Sequence, residues 1–276
     1  MWLVSCLFFL FTWLSLFDVV ASDAQDLYWV QPASQDGDAG IEITHQKLST
    51  ERQGLVPAIL TLITNPIKFV KPFPSSGAGA GCTGRVRLDK IAEENGCKLA
   101  INGAPFNMDT GACIGYLMSN GTMYSQPESD DDVYPTFAIT KDGRMGFGNL
   151  PLKTVENEGV VQAISGFQNN ALLVENGVPA VSSNALIAQR TAIGVDSDGH
   201  LMFLTIDGAE SRDRGMTMSE LAVAFAQLGA VYAINLDGGG STALWEGGSY
   251  VDRPTCLDTV FPRCDRRVAN AVCVMA

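Results

Sequence analysis

Residues 190–207, RTAIGVDSDGHLMFLTID, indicate the fold class most directly. Two apolar runs, 191–196 and 201–207, flank the tetrapeptide Ser197-Asp198-Gly199-His200. An Asp-Gly pair between two such runs is typical of a β-hairpin, and a second hairpin is predicted around Asp142-Gly143. The chain is therefore expected to contain antiparallel strand pairs.

Two segments have the periodicity of amphipathic helices. The first spans about residues 85–95 and ends before Gly96, and the second begins with the capping box of Thr217 and Glu220 and ends before Gly229. Further strands are predicted at residues 41–48, 59–64, 98–102, 231–237 and 268–274. Short strands, hairpins and two main helices predict an α+β fold with a mixed, mostly antiparallel sheet.

The 276 residues divide into three predicted regions. Residues 1–21 are nearly all apolar and end with small residues at Val19 and Ala21, which is typical of a secretory signal peptide. Residues 22–40 form a polar leader, and residues 41–276 are predicted to form a single domain. No later run approaches the about 18 apolar residues of a membrane span. We expect a secreted or secretory-pathway lumenal protein without a membrane span in the mature chain.

Composition excludes several classes of function. The net charge of −12 argues against binding to the nucleic acid backbone, and 46% hydrophobic with 17% charged residues excludes a disordered chain. The only histidines, His45 and His200, lie too far apart for a His-Glu-x-x-His zinc motif. No two cysteines form a C-x-x-C pair, and the acidic run 130–132 is read as a solvated loop, although calcium would also accept it. We expect neither a metal nor a cofactor.

The strongest chemical motif is NLDGGGST at residues 235–242, where a predicted strand ends in a tight turn. Glycines without Cβ atoms let consecutive N–H groups converge on an anion, and Asp237 places a carboxylate at the rim. The predicted anion donors are the amides of Gly238, Gly239 and Gly240 and the hydroxyl of Ser241. A glycine-rich turn without a ligand is the alternative, but the flanking polar residues favour a site.

Four further residues are candidates for the same site. Asn102 and Asn235 each end a predicted strand, where an asparagine holds a sugar hydroxyl or a phosphate oxygen, or only caps a turn. Arg190 begins a strand, and its planar donors suit a phosphate, a surface salt bridge being the alternative. Asp207 precedes a glycine and is either a second catalytic carboxylate or the acidic member of a turn.

Three segments together resemble the phosphodiester glycosidase family: residues 97–115 (CKLAINGAPFNMDTGACIG), 190–207 and 234–242 (INLDGGGST), followed by Cys256, Cys264 and Cys273. The resemblance extends from about Asn65 to Val274. It implies hydrolysis of the bond between N-acetylglucosamine and a phosphate that also esterifies mannose, which exposes mannose 6-phosphate on a phosphorylated glycan or glycoprotein.

For such a reaction, Asp237 is assigned as nucleophile or base, and Arg190 with the glycine amides as phosphate ligands. Asn102, Asn235, Asp207 and Ser241 complete the predicted site. Two alternatives stay open: a secreted protein that binds phosphorylated glycans without turnover, and a phosphodiester glycosidase acting on other glycan or cell-wall diesters.

Removal of Cys6 with the signal peptide leaves six cysteines, for which 15 pairings are possible. A Cys97–Cys273 bond follows if strands 98–102 and 268–274 are neighbours, and Cys256–Cys264 is a natural local pair. These two leave Cys82–Cys113, and the pattern rests in part on the family resemblance. The sequence Asn120-Gly-Thr122 adds one predicted glycosylation site.

Overall fold

The computed structural model describes residues 27–33, 36–75, 82–167, 172–182, 186–209, 213–255 and 265–276. Their strands form three sheets, and every strand pair among these residues is antiparallel. The helices pack on the sheets, so the predicted α+β fold is confirmed.

The first sheet has six strands in the order β1-β9-β8-β10-β6-β7. Its strands are β1 (Tyr28–Val30), β6 (Leu117–Ser119), β7 (Thr122–Ser125), β8 (Pro135–Thr140), β9 (Met145–Asn149) and β10 (Val160–Ser165). Strands β8 and β9 are the predicted hairpin at Asp142-Gly143, in which Gly143 has the positive φ of 89° that this turn requires.

The second sheet has seven strands in the order β12-β11-β15-β13-β14-β3-β2. Its strands are β2 (Ile41–Thr50), β3 (Gly54–Ile63), β11 (Val174–Glu175), β12 (Val178–Pro179), β13 (Arg190–Asp196), β14 (Leu201–Ile206) and β15 (Ala230–Asn235). The hairpin predicted from residues 190–207 is β13–β14, and Gly199 in its turn has a φ of 83°. This sheet places Arg190, Ile206 and Asn235 at one edge, because β13 starts where its two neighbours end.

The third sheet has five strands in the order β17-β16-β5-β18-β4. Its strands are β4 (Val70–Pro74), β5 (Cys97–Asn102), β16 (Leu244–Glu246), β17 (Ser249–Asp252) and β18 (Asn270–Met275). Since β5 and β18 are paired, the end of β5 at Asn102 and the start of β18 at Asn270 lie side by side.

Four α-helices are described: α1 (Pro66–Phe69), α2 (Leu88–Asn95), α3 (Leu152–Asn157) and α4 (Met218–Gln227). Helix α2 starts three residues later than predicted and ends at Gly96, which adopts the left-handed conformation. Helix α4 has the predicted capping box, with Thr217 and Glu220 each bonded to the other's main chain. It buries Leu221 and Phe225 against the second sheet.

The main hydrophobic core contains residues from all three sheets. Phe147 of the first sheet, Phe203 of the second and Ile101 of the third are all fully buried in one cluster. The shared core holds the strand edges of the different sheets in fixed positions relative to one another.

Two of the three predicted disulfides are present, Cys82–Cys113 and Cys97–Cys273. As predicted, the second joins two neighbouring strands, β5 and β18. The predicted Cys256–Cys264 pair lies outside the described residues, as does the predicted signal peptide, residues 1–21. Disulfides of this kind are typical of proteins in oxidising compartments.

The N-terminal region differs in one respect from the predicted loose leader. Residues 28–30 form strand β1 beside β9, Tyr28 stacks on Tyr232 with ring centroids 4.6 Å apart, and Trp29 packs on Gly146. The aromatic side chains explain why residues 28–30 form a strand, because their packing buries apolar surface that a purely polar segment does not have. Across the described ranges, no helix is both long and apolar enough to cross a membrane.

Candidate active site

The candidate active site lies where the ends of strands β13 and β15 in the second sheet meet the end of strand β5 in the third. The hydroxyl of Thr191 in β13 donates to Oδ1 of Asn102 in β5 at 2.7 Å. The amide of Asp237 donates to the carbonyl of Gly103 at 3.0 Å, so the segment after β15 is fixed to the segment after β5. These two bonds bring together the two strand ends that the sequence identified.

Asn102 is fully buried and connects three segments. Its Oδ1 accepts a second hydrogen bond from the amide of Ala243 at 3.1 Å, and its Nδ2 donates to the carbonyl of Asp237 at 2.6 Å. The side chain thus uses its acceptor and one donor within the protein. Its observed role is to position the glycine turn, and a direct contact with substrate stays a prediction.

Asp237 begins the glycine turn, and its carboxylate is held by the turn itself. The amide of Gly238 donates to Oδ1 of Asp237 at 3.0 Å. The following amide, of Gly239, donates to the carbonyl of Gln189 at 2.9 Å, and residues Gly239–Ser241 then form one turn of 3₁₀-helix. The turn therefore orients the predicted catalytic carboxylate, while two of the amides predicted to bind phosphate already donate to protein oxygens.

Three buried polar atoms around this turn have no hydrogen-bond partner among the described residues: Asn235 Oδ1, Thr242 Oγ1 and Gln189 Oε1. Their side chains belong to residues that are 3%, 1% and 2% exposed. Leaving a buried polar atom unpaired costs about 1–3 kcal/mol. Clustering of such atoms at one turn is typical of a site that a polar ligand completes.

Arg190 lies at the edge of the second sheet, as predicted, but it is buried. Its Nε donates to the carbonyl of Met216 at 2.9 Å, and its Nη2 donates to the carbonyl of Leu186 at 2.6 Å. The Cδ atom lies 3.9 Å from where a Cβ of Gly238 would be. Arg190 therefore packs beside the glycine turn and anchors two neighbouring segments, and its predicted contact with phosphate stays untested.

Asp207 faces a different part of the same edge. It lines a cavity of about 310 Å³ together with Asp252, Thr205, His45 and Lys47. Asp207 follows the last residue of β14, and Asp252 pairs with Leu244, two residues beyond Thr242. A short stretch of chain therefore connects the glycine turn to the strand pair that carries Asp252.

The two carboxyl groups in this cavity are not equivalent. Burial, and secondarily the negative charge of Asp207, raises the pKa of Asp252 from 3.8 to about 7, against a smaller opposing effect of the hydrogen bond from the amide of Arg253. A carboxyl group with this pKa exchanges a proton near neutral pH, which is the property a general acid or base needs.

A second asparagine, Asn270, holds the other side of the site. It is buried, its Oδ1 accepts from the amide of Ala104 at 2.6 Å, and its Nδ2 donates to the carbonyl of Ala104 at 3.2 Å. The same Nδ2 lies 3.2 Å from the sulfur of Cys113. The Cys82–Cys113 disulfide thereby supports the segment that follows Asn102.

Outside this edge, two sequence features have structural explanations. His200 Nδ1 lies 2.8 Å from Asp196 Oδ2, and the other Asp196 oxygen accepts from the amides of Asp198 and His200, which stabilises the β13–β14 turn. Asn120 is exposed in the β6–β7 turn with a positive φ of 48°, a position open to a glycan. Its glycosylation stays a prediction.

The sequence analysis missed Thr191, Asp252, Asn270 and Arg266. Thr191 follows a predicted site residue, and Asn270 lies within the predicted strand 268–274, which in the structure begins at Asn270, so both carried a weak positional signal. Asp252 and Arg266 carried none, because the pairing of β16 with β17 and the packing of residue 266 on Gly240 depend on the tertiary fold.

Known proteins resemble this chain in sequence and in fold. A sequence model of the family described as phosphodiester glycosidase matches residues 95–275. The N-acetylglucosamine-1-phosphodiester alpha-N-acetylglucosaminidase of Bos taurus is 31% identical over 265 residues, which are 88% of this chain and 49% of that protein. The Homo sapiens enzyme of the same name is 29% identical over 93% of this chain and 53% of its own length. The chain thus spans about half the length of these relatives.

A solved structure shares the fold. The zebrafish N-acetylglucosamine-1-phosphodiester alpha-N-acetylglucosaminidase catalytic domain, auto-inhibited by its pro-peptide, superposes with a TM-score of 0.78 at 24% identity, covering 92% of this chain and 88% of that chain. The matched family region contains the β5 end, the β13–β14 hairpin and the glycine turn. The chain belongs to the phosphodiester glycosidase family.

Proposed function

We propose that this protein is a hydrolase that cleaves the bond between N-acetylglucosamine and phosphate in sugar-1-phosphate diesters, exposing mannose 6-phosphate on glycoproteins. The observation that carries the proposal is the arrangement around Asp237. Its carboxylate accepts a hydrogen bond from the amide of Gly238. In the same segment of chain, Asn235 and Thr242 each have a buried polar atom without a partner among the described residues. The activity named for the bovine and human relatives supplies the substrate class.

The reaction breaks the bond between the anomeric carbon and the phosphate oxygen, and the electron pair leaves with the phosphate. The oxygen of a water molecule becomes bonded to the anomeric carbon, and that water releases one proton. Because a phosphate monoester is a stable leaving anion, protonating it contributes less than in an ordinary glycoside hydrolase. The protein's main tasks are to stabilise the phosphate charge and to supply a carboxylate at the anomeric carbon.

Within this scheme, Asp237 acts as nucleophile or as general base toward water. The hydrogen bonds of Asn102 and Gly103 to its main chain fix the position of its backbone. Asp252, which lines the cavity with Asp207, provides a proton-exchanging group close to neutral pH. The proposed location is secreted or lumenal in the secretory pathway, because the chain has two disulfides and a predicted signal peptide.

The test is an assay of the secreted protein with UDP-N-acetylglucosamine, with an N-acetylglucosamine-phospho-mannose diester and with cell-wall glycan diesters. Because the zebrafish catalytic domain is auto-inhibited by its pro-peptide, the assay is run before and after limited proteolysis. Release of N-acetylglucosamine supports the proposal. Stoichiometric binding without release identifies a phosphoglycan-binding protein instead, and turnover restricted to cell-wall diesters assigns a different substrate class.

A single-turnover reaction in ¹⁸O-water then identifies the bond that is cleaved, and NMR separates the two possible roles of Asp237. Label in the released sugar and not in the phosphate shows cleavage at the anomeric carbon. NMR of the first-formed anomer distinguishes a nucleophile, which retains configuration over two displacements, from a base, which inverts it.

A further inference from the structure

The cavity that contains Asp207 and Asp252, which we call the dicarboxylate cavity, has walls from two sheets. Strands β2, β3 and β14 of the second sheet form one wall, which includes Lys47 and the buried Thr205. Strand β17 of the third sheet forms the other wall and carries Asp252. The volume of about 310 Å³ falls in the range of pockets that hold small ligands.

The wall from the second sheet continues to the contacts that position Asp237. Thr205 of β14 is paired with Thr191 of β13, so their side chains project from the same face of the sheet. The hydroxyl of Thr191 donates to Oδ1 of Asn102 at 2.7 Å, and Nδ2 of Asn102 donates to the carbonyl of Asp237 at 2.6 Å. The cavity wall therefore lies one strand away from the side chain that contacts Asn102.

Gln189 also relates the cavity to the glycine turn. It lies at the same end of the β13–β14 pair as Asp207, because Arg190 pairs with Ile206. Its main-chain carbonyl accepts from the amide of Gly239 at 2.9 Å. Its Oε1 is buried and has no partner among the described residues. A polar ligand that extends from the turn toward the cavity would supply the missing hydrogen bond.

The polar groups of the cavity suit an uncharged ligand with several hydroxyls. Each carboxyl group accepts a hydrogen bond from the amide of the next residue, Asp207 from Gly208 at 2.6 Å and Asp252 from Arg253. Since a carboxylate has about four acceptor positions, others are left for a ligand. Lys47 forms no ion pair with either carboxyl group among the described residues, so its donors are not taken up by them. Hydroxyls match this mixture, because they both donate and accept.

Apolar side chains complete the lining. Pro57, Ile59 and Val251 contribute to the walls of the cavity. Small-molecule sites combine such surface with a few placed polar groups. A sugar ring has the matching pattern, since its C–H groups pack on apolar side chains while its hydroxyls bond to polar ones. A small anion is disfavoured, because two carboxyl groups and only one lysine line the cavity.

We propose that the dicarboxylate cavity is a sugar-binding subsite for the mannose side of the phosphodiester, with N-acetylglucosamine and the phosphate at the glycine turn. This deepens the proposed function and rests on it for the identity of the sugar. Part of the lining comes from residues 45–47 and 57–59, which precede residue 95, where the family match begins. The cavity thus selects the glycan that carries the phosphate, and the glycine turn determines which bond is cleaved.

The experiment compares Lys47→Gln and Thr205→Val with Lys98→Gln. Lys47 is exposed, and valine keeps the shape of Thr205 while removing its hydroxyl. Lys98 is an exposed lysine of β5 that does not line the cavity, so its variant controls for the loss of one positive charge. For both cavity variants we expect KM for the N-acetylglucosamine-phospho-mannose diester to rise about 3- to 10-fold more than KM for UDP-N-acetylglucosamine, which carries no mannose. This is the effect of losing one hydrogen bond to the ligand.

The ratio of the two KM values should stay within twofold of the wild-type ratio in Lys98→Gln. Equal rises for both substrates in the cavity variants would place the N-acetylglucosamine ring in the cavity. Unchanged KM values for both substrates would show that no sugar of the substrate binds there. Either result overturns the proposal.

A binding measurement separates failure of the subsite from failure of the proposed function. If the wild-type protein hydrolyses none of the diesters, the proposed function fails, and calorimetric titration with methyl mannose 6-phosphate still tests the cavity. We expect binding by the wild type and Lys98→Gln, and binding at least threefold weaker by Lys47→Gln and Thr205→Val. Equal binding by all four proteins, or none by the wild type, would overturn the proposal.

Discussion

The side-chain amide of Asn102 donates to the main-chain carbonyl of Asp237 at 2.6 Å, although the two residues are 135 positions apart. This bond joins the end of β5 to the start of the glycine turn. The third sheet thereby sets the position of the carboxylate that the second sheet presents, and the site depends on the docking of the two sheets.

The first prediction concerns this connection. Asn102→Ala removes three hydrogen bonds, each with a net contribution of about 1 kcal/mol, and leaves the hydroxyl of Thr191 without its acceptor. We expect the free energy of unfolding to fall by about 2–4 kcal/mol and kcat to fall at least tenfold. Urea denaturation and steady-state kinetics measure the two effects. Asn95→Ala, which removes one bond in α2, should leave kcat unchanged.

The second prediction concerns the carboxylate itself. Asp237→Asn keeps an oxygen for the amide of Gly238 but removes the negative charge, so the turn is preserved while the nucleophile or base is lost. We expect kcat to fall by about three orders of magnitude or more with little change in melting temperature. Asp109→Asn, at an exposed loop position, is the matched control. Near-normal turnover by the Asp237 variant would remove this residue from the mechanism.

The third prediction uses the pKa of Asp252, which burial and the charge of Asp207 raise to about 7. The unfolded chain releases this proton near pH 4 and the folded chain near pH 7, so the folded state binds more protons in between. Stability contributed by the protonated carboxyl is therefore present below pH 4 and lost as the pH rises to 7. Asp252→Asn removes this dependence.

We expect Asp252→Asn to be more stable than the wild type at pH 8, by on the order of 2–4 kcal/mol, and about equal at pH 4. Urea denaturation at a series of pH values gives the difference, in which the titrating groups that do not interact with Asp252 cancel. Asp207→Asn should lower the pKa of Asp252 and shrink the effect. Parallel stability curves for wild type and Asp252→Asn would refute the prediction.

The fourth prediction distinguishes the two disulfides. Cys97 and Cys273 are separated by 176 positions and Cys82 and Cys113 by 31, so their removal should lower the free energy of unfolding by about 5 and about 4 kcal/mol. Activity should show the opposite order, because Cys113 contacts Asn270, which holds Ala104 beside the site.

Paired alanine variants test this order, with kcat/KM measured well below each melting temperature. Equal loss of activity in both would show that the disulfides act only through global stability. Non-reducing peptide mapping of the wild type checks the predicted Cys256–Cys264 pair, which a free thiol at either position would contradict.

The sequence by itself determined the local features of this protein. The β13–β14 hairpin follows from its Asp-Gly turn, α4 from its capping box, and the turn at residues 237–240 from its three glycines. Each signal needs only a few consecutive residues, because main-chain conformation and hydrogen bonds within a turn decide it. These signals located Asn102, Arg190, Asn235 and Asp237 at the ends of elements, where the candidate site lies.

Only the tertiary structure decided how those ends meet. The tertiary fold allows Asn102 to donate a hydrogen bond to the main chain of Asp237 and places Asp207 and Asp252 in one cavity. It also packs the guanidinium of Arg266 on Gly240. Nothing near Asp252 or Arg266 in the chain marks them, since their surroundings come from strands far away in sequence. The candidate site combines strand ends from two sheets, and their relative position is set by the hydrophobic core that the sheets share. That core is formed by residues from the whole length of the chain, so no short segment of sequence predicts it.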